Sequence, residues 1–215
     1  MGSTRLPGKV LRPIGHLPLL GHVLGRLALL RHEVKVVIAT SVLPQDDAIV
    51  AFCEDSKVSC FRGSELDVLD RYYQCARQFG FQHIVRLTAD NPFTDIEELD
   101  RLIDLHLQEA NAFTHSFGPM PKGVGAEIFS FHALELSWQE GHAPHHREHV
   151  DEYLLEHPEI FRTGTLDVPA AKSQPGLRLT VDTEDDWRKA DALARQAGDE
   201  WLTTERIIAL CSPSA

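Results

Sequence analysis

No apolar run in this 215-residue sequence reaches 18 residues, which excludes a membrane-spanning helix from the expected structure. The opening residues carry neither the charged n-region nor the apolar h-region of a signal peptide, so a cytoplasmic location is expected. Cysteine is scarce. The four present, Cys53, Cys60, Cys75 and Cys211, include no C-x-x-C pair. A chain of this size buries enough core to fold without disulfides, so all four read as reduced, mostly buried thiols. Positive charge is also in deficit, with 21 Lys and Arg against 32 Asp and Glu, and a net charge of −11 argues against nonspecific nucleic-acid binding. Long linkers, low-complexity tracts and fixed-period repeats are absent too, which leaves a single domain over residues 1–215.

The charge that is present is unevenly spread. Residues 1–32 hold Arg5, Lys9, Arg12, Arg26 and Arg31 and no Asp or Glu. A cationic end on an acidic protein suits a small anionic ligand, although a run this short also arises by chance. Further along, short β-branched runs alternate with helical patterns. Val34–Ala39, His83–Thr88 and Leu177–Val181 read as buried strands, and Val58–Phe61 as a shorter one. Pro18–Leu30, Asp46–Asp55, Asp67–Phe79 and Ile96–Leu107 read as helices, and Thr183-Glu184-Asp185-Asp186 as a capped start of another. Alternation of this kind predicts an α/β fold with a mostly parallel sheet covered on both faces. In such sheets ligands sit at the carboxyl ends of strands, so chemistry belongs in the loops that follow them.

Two constellations fit that position. The first is Gly2-Ser3-Thr4-Arg5-Leu6-Pro7-Gly8-Lys9, where glycines allow a sharp turn, hydroxyls donate, and Arg5 and Lys9 supply two cations. It equips a loop to hold a polyphosphate, but it is not a P-loop, because G-x-x-x-x-G-K-[ST] fails at Val10, and by pattern alone an ordinary basic surface loop fits at least as well. The second is a repeated strand end, R-L-T-x-D, at Arg86–Asp90 and again at Arg178–Asp182. Neighbouring strands would bring Asp90 and Asp182 to one point of the crevice, where two carboxylates, phosphate oxygens and water make a Mg²⁺ site. Either Asp alone reads first as a helix or turn cap, and it is the repetition of the pattern that points to the metal.

Other residues divide between functional and structural readings. His142, His145, His146 and His149 have spacings that zinc accepts, but Pro144 interrupts them, and a surface or subunit-contact helix is the expectation. Glu127 enters an apolar run and needs a partner if buried; it suits a substrate hydroxyl or amine as well as the sheet rim. Arg62 follows a short strand and serves either the nucleotide or a turn.

These motifs, together with Ala39-Thr40-Ser41, Phe61–Tyr73 (F-R-G-S-E-L-D-V-L-D-R-Y-Y), Val85–Pro92 and Arg147–Val150, stand in the order of a known family. Over nearly its whole length the chain resembles the acylneuraminate cytidylyltransferase group, of the spore-coat polysaccharide biosynthesis protein F type. The resemblance implies a three-layer α/β/α nucleotide-diphospho-sugar transferase (GT-A-like) fold. It implies Mg²⁺-dependent transfer of CMP from CTP, or of a nucleotide from another nucleoside triphosphate, to a small acidic acceptor in surface polysaccharide synthesis. By the same resemblance Gly2, Ser3, Arg5 and Lys9 hold the triphosphate, and Arg5 and Lys9 steady the departing pyrophosphate. Asp90 and Asp182 bind the metal, Arg62 lies near the nucleotide, and Glu127, Glu148 and His149 fall in the acceptor region. A homodimer is also implied, with His142–Tyr153 as a candidate contact. Two alternatives stand beside this reading: a nucleotide-binding relative without turnover, and a glycosyltransferase on the same fold, for which no D-x-D motif speaks.

One departure matters for the fold. Relatives run a hydrophobic strand ending I-I-Q-A-R directly into M-G-S-T-R-L-P-G-K, whereas Met1 opens this sequence inside the loop. The expected sheet therefore lacks its first, central strand, and weak or no activity is expected relative to a version that carries it.

Overall fold

The computed structural model describes residues 1–198 and 200–212. After the N-terminal loop and a single 3-10 turn at Lys9–Leu11, β1 (Pro13–Ile14) and β2 (Leu17–Pro18) form a short antiparallel hairpin. Helix α1 (Leu19–Leu27) starts behind the extended Pro18. It is shorter than the expected Pro18–Leu30 because its end tightens into i, i+3 bonds, Leu29 N–H to Arg26 and Leu30 N–H to Leu27. Strand β3 (Val37–Ser41) begins later than expected, since its pairing with β4 starts at Val37 opposite Ser59. Then come α2 (Asp47–Asp55), β4 (Ser59–Gly63) and α3 (Val68–Phe79). The α3 N-terminus is capped by the Asp67 carboxylate, and the helix closes on a left-handed Gly80. Strand β5 (His83–Arg86) leads to α4 (Ile96–Glu109), capped by Asp95.

The second half contains β6 (Phe113–His115), β7 (Glu127–Ser130), α5 (Phe131–Glu140), α6 (Pro144–Glu148) and α7 (Glu152–Glu156). It ends with β8 (Thr163–Thr165), α8 (Glu184–Ala197) and α9 (Thr204–Cys211). The main sheet has the order β5-β7-β6-β8, and β7 runs against β5 and β6 while β8 is parallel to β6. Three of its four strands thus point one way, and β7 is the exception to a parallel arrangement. Successive side chains alternate between layers as the pleat requires. Ile84, Phe113 and Phe129 pack with α3, α5 and α7, whereas Val85 and Ile128 pack with α4 and the end of α1. The Leu177–Val181 segment is not a regular strand. It is held by a single bridge, with Lys122 bonded to Leu177 and Leu179, and by the Val181 N–H donating to the Asp90 carbonyl at 2.9 Å.

Strands β3 and β4 form a separate parallel pair. Among the described residues no backbone hydrogen bond joins β3 to β5. Between their facing edges lies an apolar slot of about 640 Å³, lined by Val37 and Ile38 of β3, Ile84 and Val85 of β5, Leu24 of α1 and Ala76 of α3. No helix among the described residues is long and apolar enough to cross a membrane. The four cysteines are free thiols. Burial pushes Cys53 up to about 12 and Cys75 up to about 11, which leaves both as protonated core groups rather than nucleophiles.

Candidate active site

The N-terminal loop is fixed at three points. Leu6 is buried with Phe93, Met120, Leu179 and Val181. The Met1 ammonium donates to Asp46 Oδ1 at 2.8 Å. Arg12 pairs with Glu184 and lies 3.6 Å over the Trp187 ring, which ties the end of the loop to α8. Gly8 adopts φ 71° and lets the chain fold back, its N–H donating to the Met1 carbonyl at 3.2 Å. Asp46 is itself a junction, with Oδ2 accepting from Thr40 Oγ1 at 2.7 Å, the Ser41 N–H at 3.0 Å and Ser41 Oγ at 2.6 Å. Burial pushes its carboxyl upward, but the terminal ammonium, Ser41 and Thr40 outweigh that and hold it well below the usual range.

The two R-L-T-x-D ends meet. Lys9 Nζ lies 2.9 Å from Asp90 Oδ2, 2.8 Å from Asp182 Oδ1 and 2.8 Å from the Val181 carbonyl. Its three N–H groups are matched by three oxygens. Arg5 Nη2 approaches Asp182 Oδ1 at 3.1 Å, and Arg178 binds the other oxygen, Oδ2. Burial raises the Asp182 carboxyl, but the Lys9 hydrogen bond and the charges of Lys9, Arg5 and Arg178 outweigh it, so the group is held ionised below its ordinary value. Asp182 stands just before a capping box in which Thr183 Oγ1 accepts from the Asp186 N–H and Asp186 Oδ2 accepts from the Thr183 N–H. Asp186 Oδ2 also accepts from the Asp182 N–H at 3.1 Å. Gly123 sits so close behind this point that a Cβ would meet Thr180 N at 2.7 Å, and its φ of 99° suits glycine alone.

The remaining sequence-selected residues are spread over four places. Gly2 and Ser3 lie in the loop beside Met1, with Ser3 Oγ accepting from the Leu6 N–H at 3.3 Å. Arg62 reaches the β3–α2 connection, donating to the Ser41 carbonyl at 3.0 Å and the Leu43 carbonyl at 2.9 Å and pairing with Asp47 at 2.7 Å. Glu127 starts β7 opposite Arg86 of β5 and is only 1 % exposed. Its Oε1 is paired with Arg86, but Oε2 has no partner among the described residues. Burial pushes its carboxyl up to about 7 against the pull of Arg86, with Asp151 adding to the rise. Glu148 and His149 end α6 on the exposed side, and no side-chain hydrogen bond brings them to Glu127 or to the aspartates among the described residues.

The histidine group forms an ion-pair latch. His145 and His146 place Nε2 at 2.8 and 2.7 Å from the two oxygens of Glu156. The Ala143 N–H donates to His146 Nδ1 at 3.3 Å, so the ring proton sits on Nε2 and faces the carboxylate, the wrong tautomer for a metal ligand at that nitrogen. Sequence reasoning missed Arg178, Arg86 and Asp46. The first two were legible as the arginines of the repeated motif, which was read only for its aspartates. Asp46 gave no local sign of receiving the chain terminus.

A family model described as cytidylyltransferase matches residues 1–207. The chain belongs to the cytidylyltransferase family. It is 37% identical over 204 residues to the spore coat polysaccharide biosynthesis protein SpsF of Bacillus subtilis (strain 168), covering 93% of this chain and 85% of that protein. A solved cytidylyltransferase from Leptospira borgpetersenii serovar Hardjo-bovis superposes with a TM-score of 0.91 at 31% identity, over 98% of this chain and 89% of the other. CMP:2-keto-3-deoxy-manno-octonic acid synthetase complexed with CTP shares the fold at 18% identity, with a TM-score of 0.66 over 91% of this chain and 95% of that one. The Lys9, Asp90 and Asp182 cluster therefore lies in a nucleotidyltransferase fold of this family.

Proposed function

We propose that the chain transfers CMP from CTP to a small acidic acceptor and releases pyrophosphate, with Mg²⁺ held by Asp90 and Asp182. The observation that carries this reading is the convergence of Asp90 Oδ2, Asp182 Oδ1 and the Val181 carbonyl within 2.9 Å of one cationic point. All three are hard oxygen donors, the set that Mg²⁺ prefers. Bound there, Mg²⁺ would screen the triphosphate and stabilise charge on the departing pyrophosphate. The SpsF relative supports polysaccharide precursor synthesis as the setting, and the CTP-bound structure of the same fold supports CTP as donor.

On this reading Gly2 and Ser3 present the loop backbone and a hydroxyl to the phosphates, and Arg5, 63% exposed at its side chain, faces the same space. Arg62 braces the β3–α2 connection beside the nucleotide. The acceptor oxygen attacks the α-phosphorus in line, and the bond to the pyrophosphate oxygen breaks. An attacking carboxylate or phosphate oxygen arrives ionised and needs no general base, whereas an attacking sugar hydroxyl must give up its proton to one; in either case positioning and charge neutralisation carry much of the rate. Glu127, with one oxygen unpartnered, is the candidate contact for an acceptor hydroxyl or amine, and Glu148 and His149 lie on the outer rim. A homodimer through His142–Tyr153 extends the reading to assembly.

Pyrophosphate release measured with CTP, Mg²⁺ and a panel of sugar acids tests it. Asp182→Ala is expected to lower the rate by about a hundredfold or more, the size seen when one electrostatic partner is removed. Release that persists in Asp182→Ala, or that occurs with no acid tested while CTP still binds, counts against it. The second of those outcomes would favour a nucleotide-holding relative without turnover.

A further inference from the structure

We infer that Lys9 is a placeholder cation, which occupies the carboxylate pair until a divalent ion displaces it and which thereby couples metal binding to nucleotide binding. The inference rests on the reading of Asp90 and Asp182 as the metal carboxylates. Lys9 Nζ already takes one oxygen from each aspartate and the Val181 carbonyl, at 2.8–2.9 Å. A Mg²⁺ bonded to the same two carboxylate oxygens sits about 2.0–2.1 Å from each. Two cations cannot share that volume, so metal entry requires the ammonium to leave. The lysine side chain is only 11% exposed, which means it fills the site rather than resting at its rim.

The other cations around Asp182 are placed so as to stay. Arg178 holds Oδ2, the oxygen turned away from Lys9, and Arg5 reaches Oδ1 from the exposed side. Arg178 thus fixes the carboxylate so that one oxygen faces the ion position. Lys9 differs in having a flexible four-carbon stem and a compact charge. It follows the left-handed Gly8 at the start of a single 3-10 turn, on the same loop as Gly2, Ser3 and Arg5. Once displaced, its ammonium is left without an anion unless a triphosphate lies against that loop. The free ion alone therefore binds weakly, and the ion with the nucleotide binds well. By linkage the metal tightens nucleotide binding by the same factor.

Mn²⁺ titration followed by electron paramagnetic resonance tests this in the wild-type chain, Lys9→Gln, Asp90→Asn and Asp182→Asn, each with and without CTP. Lys9→Gln is expected to bind Mn²⁺ alone about tenfold more tightly than wild type, within the usual range of such coupling, and to gain less from added CTP. Equal or weaker Mn²⁺ binding by Lys9→Gln overturns the placeholder role. If neither Asp variant weakens Mn²⁺ binding, the carboxylate site itself is wrong, which is a separate failure. Should Lys9→Gln be too unstable without metal for titration, its thermal midpoint serves instead. A larger rise on adding Mn²⁺ than in wild type supports the placeholder, and an equal rise overturns it.

Discussion

At the scale of single residues, Glu127 is the most instructive case. An acid 1% exposed with one oxygen unpartnered is expensive to ionise, and its carboxyl is pushed up to about 7 despite Arg86. Arg86 is drawn the other way by Tyr72 and Glu127, its burial being outweighed, so it stays charged throughout. Between about pH 4.5 and 7 the unfolded chain gives up the Glu127 proton while the folded one keeps it. Stability from this group is therefore present at low pH and falls as pH rises, by about 3 kcal/mol at most, and is level above pH 7. Urea unfolding of wild type and Glu127→Gln at pH 5, 6, 7 and 8 should show the variant gaining on wild type across that window. A difference that is flat with pH would remove the explanation. The sequence showed a carboxylate entering an apolar run, but not its partner, because Arg86 and Glu127 meet only through the β5–β7 register.

At the scale of elements, the cap of α8 links stability to the site. Thr183 and Asp186 form a reciprocal box, and Asp186 also accepts from the Asp182 N–H. Removing the hydroxyl with Thr183→Ala is expected to cost about 1 kcal/mol in urea unfolding. It should also weaken Mn²⁺ binding, because the backbone that aims Asp182 loses part of its support. A loss of stability with unchanged Mn²⁺ affinity would separate cap from site. This box was legible from Thr183-Glu184-Asp185-Asp186, as were the cores of α2, α3 and α4, because polar caps and apolar periodicity are local signals. The Leu177–Val181 segment misled for the opposite reason. Its β-branched and leucine residues do bury, yet its hydrogen bonds go to Lys122 and Asp90 on loops rather than to a strand. The antiparallel course of β7 was equally hidden, since strand direction follows from connections and not from composition.

At the scale of the whole molecule, the slot between β3 and β5 sets the next experiment. Among the described residues both strands are bonded on one side only, to β4 and to β7, and no backbone partner is seen for their facing edges along the apolar walls. Residue patterning alone placed β3 and β5 as strands. That they stand apart was not readable, since no local signal in either run records which strand it pairs with. The slot has the character of a place for one strand that is apolar on both faces, because helices α1 and α3 close it from either side. Its direction follows from Met1, whose ammonium is tied to Asp46, which in turn grips Ser41 at the carboxyl end of β3. A strand leading into Met1 therefore runs parallel to β3. Fusing an apolar segment of about five residues ahead of Met1 is expected to raise the urea midpoint and to slow hydrogen exchange along β3 and β5, since ladder bonds to both edges form at once. It should also raise CTP turnover by anchoring the Gly2–Lys9 loop. A matching segment with alternating proline, which cannot donate to a ladder, should do none of these. Unchanged exchange in β3 and β5 would show that the slot does not take a strand, and equal turnover by the two chains would show that the loop needs no such anchor.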